Sequence, residues 1–248
     1  MTPRLLVIDL ETRPMESRHW GLWGQNIGIN QIERPDGLLC FAAQFVGERR
    51  VHFHSQWSDG ERGMVRAAHR LLDEADVVIG WNSQRFDVPW LQRCFAEHDL
   101  PEPSPFKQLD LMRAAKKKFR LPSFKLEFVA RWLGVGSKLR TGGFDLWQDV
   151  LRGDELARAK MRRYNIQDTK LTGQVYDKLR AKGWVSPPLN AALHAEHCCP
   201  HCGSEKLQAR GYEETLTRRY KRWQCKSCKR WSRSTHCEPG AAKLKQVA

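Results

Sequence analysis

What this chain lacks narrows its chemistry first. No apolar run approaches the roughly 20 residues that a helix needs to cross a bilayer, so no membrane association is expected. A charged start followed by an apolar stretch and a cleavage site is also missing, because Asp9 and Glu11 interrupt the only apolar run near the N-terminus. A cytoplasmic location is the expectation. Acid is the scarce charge. There are 28 Asp and Glu against 42 Lys and Arg, a formal net charge of +14. That balance suits a polyanionic partner, because clustered cations neutralise phosphates and release counterions. Cysteine is scarce until the end. Of 8 Cys, six lie after residue 197, and four of those form two CxxC pairs. In a reducing compartment this pattern reads as metal binding rather than a disulfide framework. No internal repeat or long low-complexity stretch interrupts the chain. What remains is 248 residues, 41% of them hydrophobic, enough for one sizeable domain and a small appendage.

The hydrophobic pattern gives an α/β reading. Leu5–Leu10 is a branched apolar run ended by acids, a buried strand. Leu39–Val46 and Arg50–His54 follow as strands, with Gly47 and Glu48 as the turn. Met64, Ala67, Ala68, Leu71 and Leu72 recur at helical spacing over 61–74. Val77–Gly80 is another short buried strand, and a helix starts near Asp87. Pro101, Pro103 and Pro105 mark a loop. Gln108–Leu111 is a last short strand. Ser123 caps a helix that stops at Gly134, and a long helix spans about 154–182. Strands early, helices late and interleaved, imply a mixed sheet. The expected organisation is a domain over 1–183, a linker over 184–196, and a cysteine-bearing module with a basic tail over 197–248.

Asp9 and Glu11 in VIDLET are two apart, so on a strand both carboxylates point to one face. Asp87 in NSQRFDVPWL sits where a strand-end loop enters a helix, the place where α/β sheets put their sites. Tyr164 and Asp168 in YNIQD are four apart on the long helix and share a side. Hard oxygen ligands of this kind select Mg²⁺ or Mn²⁺. Four carboxylates can hold two such ions about 4 Å apart, which activate a water and stabilise a leaving oxygen at a phosphodiester. A tyrosine one turn from a ligand can orient that water.

Together these segments resemble the three exonuclease motifs of the DnaQ-like, RNase H-like 3′–5′ exonucleases, in their tyrosine-containing (DEDDy) branch. Asp9 and Glu11 match the first motif. Asn82, Phe86 and Asp87 match the second, in a form similar to family B DNA polymerase proofreading domains. Tyr164 and Asp168 match the third. The resemblance covers roughly residues 4–182. It implies a mixed five-stranded sheet flanked by helices, and two-metal hydrolysis that releases nucleoside 5′-monophosphates from a 3′ end. It also implies that Leu10 and Phe86 touch the terminal base or sugar and that Asn82 helps order the site. A bacterial or phage-infected cytoplasm, and a replicative polymerase as partner, follow from the same analogy. Pro14–Asp36 is longer than the family's minimal hairpin. It reads as a packed surface loop, with a substrate-side flap built on His19, Trp20 and Trp23 as the other reading. Asp110 reads as a helix N-cap.

Cys199, Cys202, Cys225 and Cys228 carry the spacing of a zinc ribbon, two turns closing a Cys₄ shell around one structural Zn²⁺. Cys198 adjoins Cys199 and leaves the choice of ligand open, while His201 and Cys237 are reserve ligands. From His194 to Ala248 there are 12 Lys and Arg against 5 Asp and Glu, a balance of +7, half the total of +14. Arg218, Arg219, Arg222, Lys226, Lys229 and Arg230 lie among Tyr220, Trp223 and Trp231. Cations for phosphates and aromatics for bases are what single-strand binding uses. The Lys116–Lys118 run reads equally as a solvated helix face or a phosphate contact. The expected function is a 3′–5′ exonuclease, with single-stranded DNA preferred as substrate. A non-catalytic zinc-ribbon binding protein, a structure-selective endonuclease and an exoribonuclease stay open as alternatives.

Overall fold

A computed structural model describes residues 3–190 and 197–239. The chain divides into two compact units, Met1–Val175 and Tyr176–Ala248. The division falls inside the long helix. The segment expected as a linker lies outside the described residues from 191 to 196, as does the basic tail from 240 onward.

The first unit is built on a five-stranded sheet. Its strands are β1 (Leu5–Arg13), β4 (Gly37–Phe45), β5 (His52–Ser55), β6 (Val77–Gly80) and β7 (Lys107–Asp110). Their order is β5-β4-β1-β6-β7. β4 runs antiparallel to β1 and β5, whereas β6 and β7 run parallel to β1. The sheet is therefore the mixed five-stranded, helix-flanked RNase H-like sheet that the motif resemblance implies. Six helices belong to the described chain: α1 (Gln56–Asp73), α2 (Asp87–Glu97), α3 (Leu111–Lys118), α4 (Leu126–Trp132), α5 (Asp145–Arg152) and α6 (Glu155–Ala181).

Strand periodicity sorts β1 into two faces. Leu6, Ile8 and Leu10 bury into a core with Met64, Leu72, Leu91 and Phe95 of α1 and α2. The alternate residues, including Asp9 and Glu11, face the other way. There Leu39 and Cys40 of β4 pack with Leu146, Val150 and Met161 of α5 and α6. The register shifts between Glu11 and Thr12, which pair with Cys40 and Leu38. Leu39 is the extra residue of this bulge, a device that re-aims side chains beside a site.

The segment between β1 and β4 forms a small ribbon of β2 (Glu16–Ser17) and β3 (Ile32–Arg34). Its tip is not packed: Trp20 is 99% exposed and Trp23 88%. The expectation of a packed loop is corrected here. The ribbon is joined by backbone pairing and carries the exposed ion pairs Arg18–Glu33 and Arg34–Glu16.

The second unit contains a three-stranded antiparallel sheet in the order β10-β9-β8, made of β8 (Leu207–Glu214), β9 (Arg219–Cys225) and β10 (Trp231–Arg233). From 197 to 239 the buried residues are Cys198, Cys199 and Cys225. This module has almost no apolar interior of its own.

Candidate active site and cysteine centre

The carboxylates gather on the α6 face of β1, at the carboxyl ends of the parallel strands. One oxygen each from Asp9, Glu11 and Asp168 lie within 4.8 Å of one another. Asp168 is 1% exposed, and its Oδ1 is buried without a hydrogen-bond partner. Asp87 is not in this trio. Its Oδ1 accepts the Leu10 N–H at 3.1 Å, which ties the start of α2 to the middle of β1. Leu10 itself is 4% exposed and packs in the core, so its side chain is not offered to a substrate. Its contribution is the backbone bond to Asp87. Phe86, beside Asp87, is exposed.

The loop that carries Asp87 is held by several local features. A Cβ at Gly80 would meet Ser83 at 2.5 Å, so the turn after β6 closes only on glycine. Asn82 takes a left-handed φ of 66°. Asp110 receives the N–H groups of Asn82 at 3.2 Å and Gln84 at 3.4 Å, and caps α3 through Arg113 N–H at 3.1 Å. Asp110 is thus the N-cap the sequence suggests, and it also fixes the neighbouring loop.

Burial, with repulsion between neighbouring acids, shifts Asp9, Glu11, Asp87 and Asp168 upward. Burial raises Asp9 well above the usual carboxylate range, and the charges of Asp87, Glu11 and Asp168 add to it. Burial, then Asp168, raises Glu11 to about 8. Burial raises Asp87 to about 7, against the pull of the Leu10 N–H. Tyr164 is raised by burial and by Asp168. Acids that resist ionisation together make a site that a cation would relieve.

Two residues of this site carry no signal that the sequence motifs capture. Asn165 is fully buried and donates Nδ2–H to the Asp9 carbonyl at 3.0 Å and to Asp9 Oδ2 at 2.8 Å. It follows Tyr164 directly, but only the three-dimensional packing of α6 on β1 gives it a partner. Lys138 comes from the loop between α4 and α5. Its Nζ donates to Asp168 Oδ2 at 2.5 Å and to the Tyr164 hydroxyl at 3.2 Å. It supplies part of the positive charge the acids lack.

Comparison with known proteins places the fold. A family model described as the RNase H superfamily matches residues 28–180. The chain belongs to the RNase H superfamily. The match takes in Asp87, Tyr164 and Asp168 and begins after Asp9 and Glu11. Comparison with curated proteins gives no match. Among solved structures, the family B DNA polymerase from the hyperthermophilic archaeon Pyrobaculum calidifontis is similar, with a TM-score of 0.56 and 19% identity. The likeness covers 74% of this chain and 25% of the polymerase, so the chain spans about a quarter of that protein's length. At this identity the likeness is one of fold. RNase H superfamily membership supports nuclease activity and nucleic-acid binding. RNase H-like nucleases use divalent metals. The residues here fit such ions: three convergent carboxylates of raised proton affinity and one buried oxygen without a partner.

The second candidate centre is made of sulfur. Cys199, Cys202, Cys225 and Cys228 hold their Sγ atoms within 4.8 Å of one another. Cys199–Cys228 is 3.6 Å and Cys202–Cys225 is 3.7 Å. Tetrahedral thiolates at about 2.3 Å from a zinc ion would lie about 3.8 Å apart. Cys225 is pulled down to about 6: burial opposes ionisation, but the N–H groups of Cys228 and Ser227 and the adjoining thiols outweigh it. Cys198 is not among the four. His201 engages both ring nitrogens, with Ser186 Oγ and the Trp231 carbonyl, each at 3.2 Å. Cys237 is exposed. The cluster is compatible with a zinc ribbon.

The basic residues expected to touch nucleic acid are not equivalent. Arg218, Lys226 and Lys229 are exposed. Arg219 pairs with Glu214 at 2.9 Å. Arg222 stacks over Trp231, 4.6 Å from the ring centre. Arg230 turns inward and donates to Ser186 Oγ at 2.8 Å. It braces the module rather than presenting its charge. No helix among the described residues is long and apolar enough to cross a membrane.

Proposed function

We propose that this chain is a divalent-metal-dependent 3′–5′ exonuclease of the tyrosine-containing (DEDDy) branch, acting on single-stranded DNA and releasing nucleoside 5′-monophosphates. The observation that carries the reading is the convergence of Asp9, Glu11 and Asp168 within 4.8 Å, with Tyr164 one helical turn from Asp168. Asp87 would complete the ligand set by rotating from the Leu10 N–H. Bound there, two Mg²⁺ or Mn²⁺ ions would activate the attacking water and offset the charge that develops on phosphorus. Asn165 holds Asp9 in position. Tyr164 orients the attacking water through its hydroxyl. Lys138, beside both Tyr164 and Asp168, would offer its cation to the scissile phosphate. Phe86 and Asn82 position the terminal nucleotide.

One structural Zn²⁺ in the Cys₄ cluster would fold the C-terminal module, whose Arg218, Arg219, Arg222, Lys226 and Lys229 grip the nucleic acid. The domain limits that go with this reading are 1–183 and 197–248. Likeness to part of a DNA polymerase supports DNA as substrate and a polymerase as partner; a replicative partner and a cytoplasmic location belong to the same reading. The test is digestion of a 5′-labelled single-stranded DNA with Mg²⁺ or Mn²⁺. A ladder shortening from the 3′ end, abolished by EDTA and by Asp168→Ala, is expected. Digestion of a circular strand would make the protein an endonuclease. Degradation of RNA alone would make it an exoribonuclease. Tight binding without turnover would leave a binding protein.

A further inference from the structure

A basic groove leaves the acidic site along the end of α3. A cavity of about 570 Å³ has Asp9 and Lys138 in its lining, together with Lys116, Phe124 and Lys125. An adjoining cavity of about 890 Å³ shares Lys116 and Phe124 and continues past Lys117, Lys118 and Arg120. The second cavity has no acid in its lining. Lys116, Lys117, Lys118, Arg120 and Lys125 are all exposed, and none joins an ion pair among the described residues.

Lysines in the last turn of a helix favour its dipole. That accounts for their place on α3 but not for the loop that folds back to make a wall opposite them. The wall is fixed: Trp81 Nε1–H donates to the Phe124 carbonyl at 3.1 Å, which ties the groove to the loop that carries Asn82 and Asp87. Lys116 stands 5.8 Å from the centre of the Phe124 ring, so one cation and one aromatic face the channel together. Two cavities in series, continuous through shared residues, suit a chain of phosphates rather than a single anion.

We propose that this groove is the track for the nucleic-acid strand entering the active site, with the backbone phosphates on Lys116, Lys117, Lys118 and Arg120 and a base against Phe124. The inference rests on the exonuclease reading and adds a substrate path within the first unit. Interleaved cations and an aromatic are the features of single-strand sites.

The test compares the unaltered protein with a K116Q/K117Q/K118Q variant and, separately, a K226Q/K229Q variant of the cysteine module. Binding of a fluorescent oligothymidylate is followed in EDTA across a range of salt. Each phosphate neutralised on a single strand contributes about 0.7 to the slope of log affinity against log salt. The α3 variant should lose up to about 2 from that slope. With Mg²⁺, its kcat/KM for a long oligothymidylate relative to that for a dinucleotide should fall on the order of ten-fold. Lys117 and Lys118 line only the second cavity, so a dinucleotide at the acids misses two of the three altered lysines, whereas a folding defect would lower both substrates and leave the ratio fixed. An unchanged slope and ratio would overturn the proposal, as would a loss confined to the K226Q/K229Q variant. If neither substrate is digested by the unaltered protein, the exonuclease reading fails, while the salt slope still decides the groove.

Discussion

The two candidate metal centres are built in opposite ways. The carboxylate site draws on residues as far apart as Asp9 and Asp168, set on a strand and a helix that pack through a large apolar core. The cysteine site draws on two short turns in a module where only cysteines are buried from 197 to 239. In the first, the fold holds the ligands against their mutual repulsion. In the second, the ligands hold the fold. On the proposed reading, one site would cost stability until a cation arrives, and the other would supply it.

The largest effect tests the second half of that contrast. Cys225→Ser, or stripping of the metal by a chelator, should unfold the C-terminal module, because a small domain without an apolar core depends on its metal. Protection of the module from protease is the signal that reports on this, and metal content is counted in parallel. The first unit should keep its cooperative melting. If the module keeps its signal without metal, the contrast breaks.

Asp9→Asn is the matching test in the first unit. Turnover should fall by roughly 10²–10³-fold, the scale of removing one preorganised electrostatic contact. Stability in EDTA should stay level or rise, because a charge that Asp87, Glu11 and Asp168 oppose is gone. An amide oxygen can still accept the Asn165 N–H. A large drop in melting temperature would show that this site also supports its fold.

The same contrast explains how much could be read from the sequence. Cys199, Cys202, Cys225 and Cys228 were legible because a local site writes its geometry as spacing. Asp9 and Glu11 were legible through strand alternation, and Tyr164 with Asp168 through one helical turn. The strand Val77–Gly80 and the helix from Asp87 follow from apolar runs and a loop signal. Lys138 and Asn165 were not legible, since each acts through a partner at least 30 positions away. Helix α5 was missed because it is only eight residues long, too short for a periodic pattern to stand out. Alternation sends Leu10 to the core face even as its neighbours reach the site.

Asn165→Ala should reduce activity or metal affinity by about 10–100-fold, the usual cost of losing a residue that orients a ligand. It removes both bonds to Asp9, at 3.0 and 2.8 Å. Asp168→Asn, by comparison, would remove a proposed ligand outright. Turnover titrated with Mg²⁺ separates the cases: for Asn165→Ala the Mg²⁺ requirement should rise with partial activity regained at high concentration. No shift in that requirement would show that Asp9 needs no such support.

Lys138→Met sharpens the contrast from the side of charge. Lys138 is 29% exposed and its partner Asp168 only 1%. Removing a hydrogen bond to a charged group costs about 1.5–3 kcal/mol. The loss should appear in EDTA melting curves and shrink with saturating Mg²⁺, which takes over the neutralising role. A loss equal in both conditions would mean that Lys138 serves packing rather than charge.

The smallest effect is the pH dependence of the metal-free protein. Glu11 is raised to about 8 and Asp87 to about 7, and Asp9 moves the same way. Ordinary carboxylates titrate near roughly 4. A folded-state pKa raised above the unfolded value contributes stability that is full below the unfolded value and is lost as pH rises through the folded one. Without divalent cation, the melting temperature of the first unit should therefore fall between about pH 4 and pH 8. Metal binds the ionised acids, so the gap between curves with and without Mg²⁺ should widen with pH. The cysteine module should not share this trend if, as proposed, an ion neutralises its thiolates. Parallel curves for the first unit, with and without Mg²⁺, would mean that its acids are not strained by one another, and the distinction between a site the fold must restrain and a site that makes the fold would collapse.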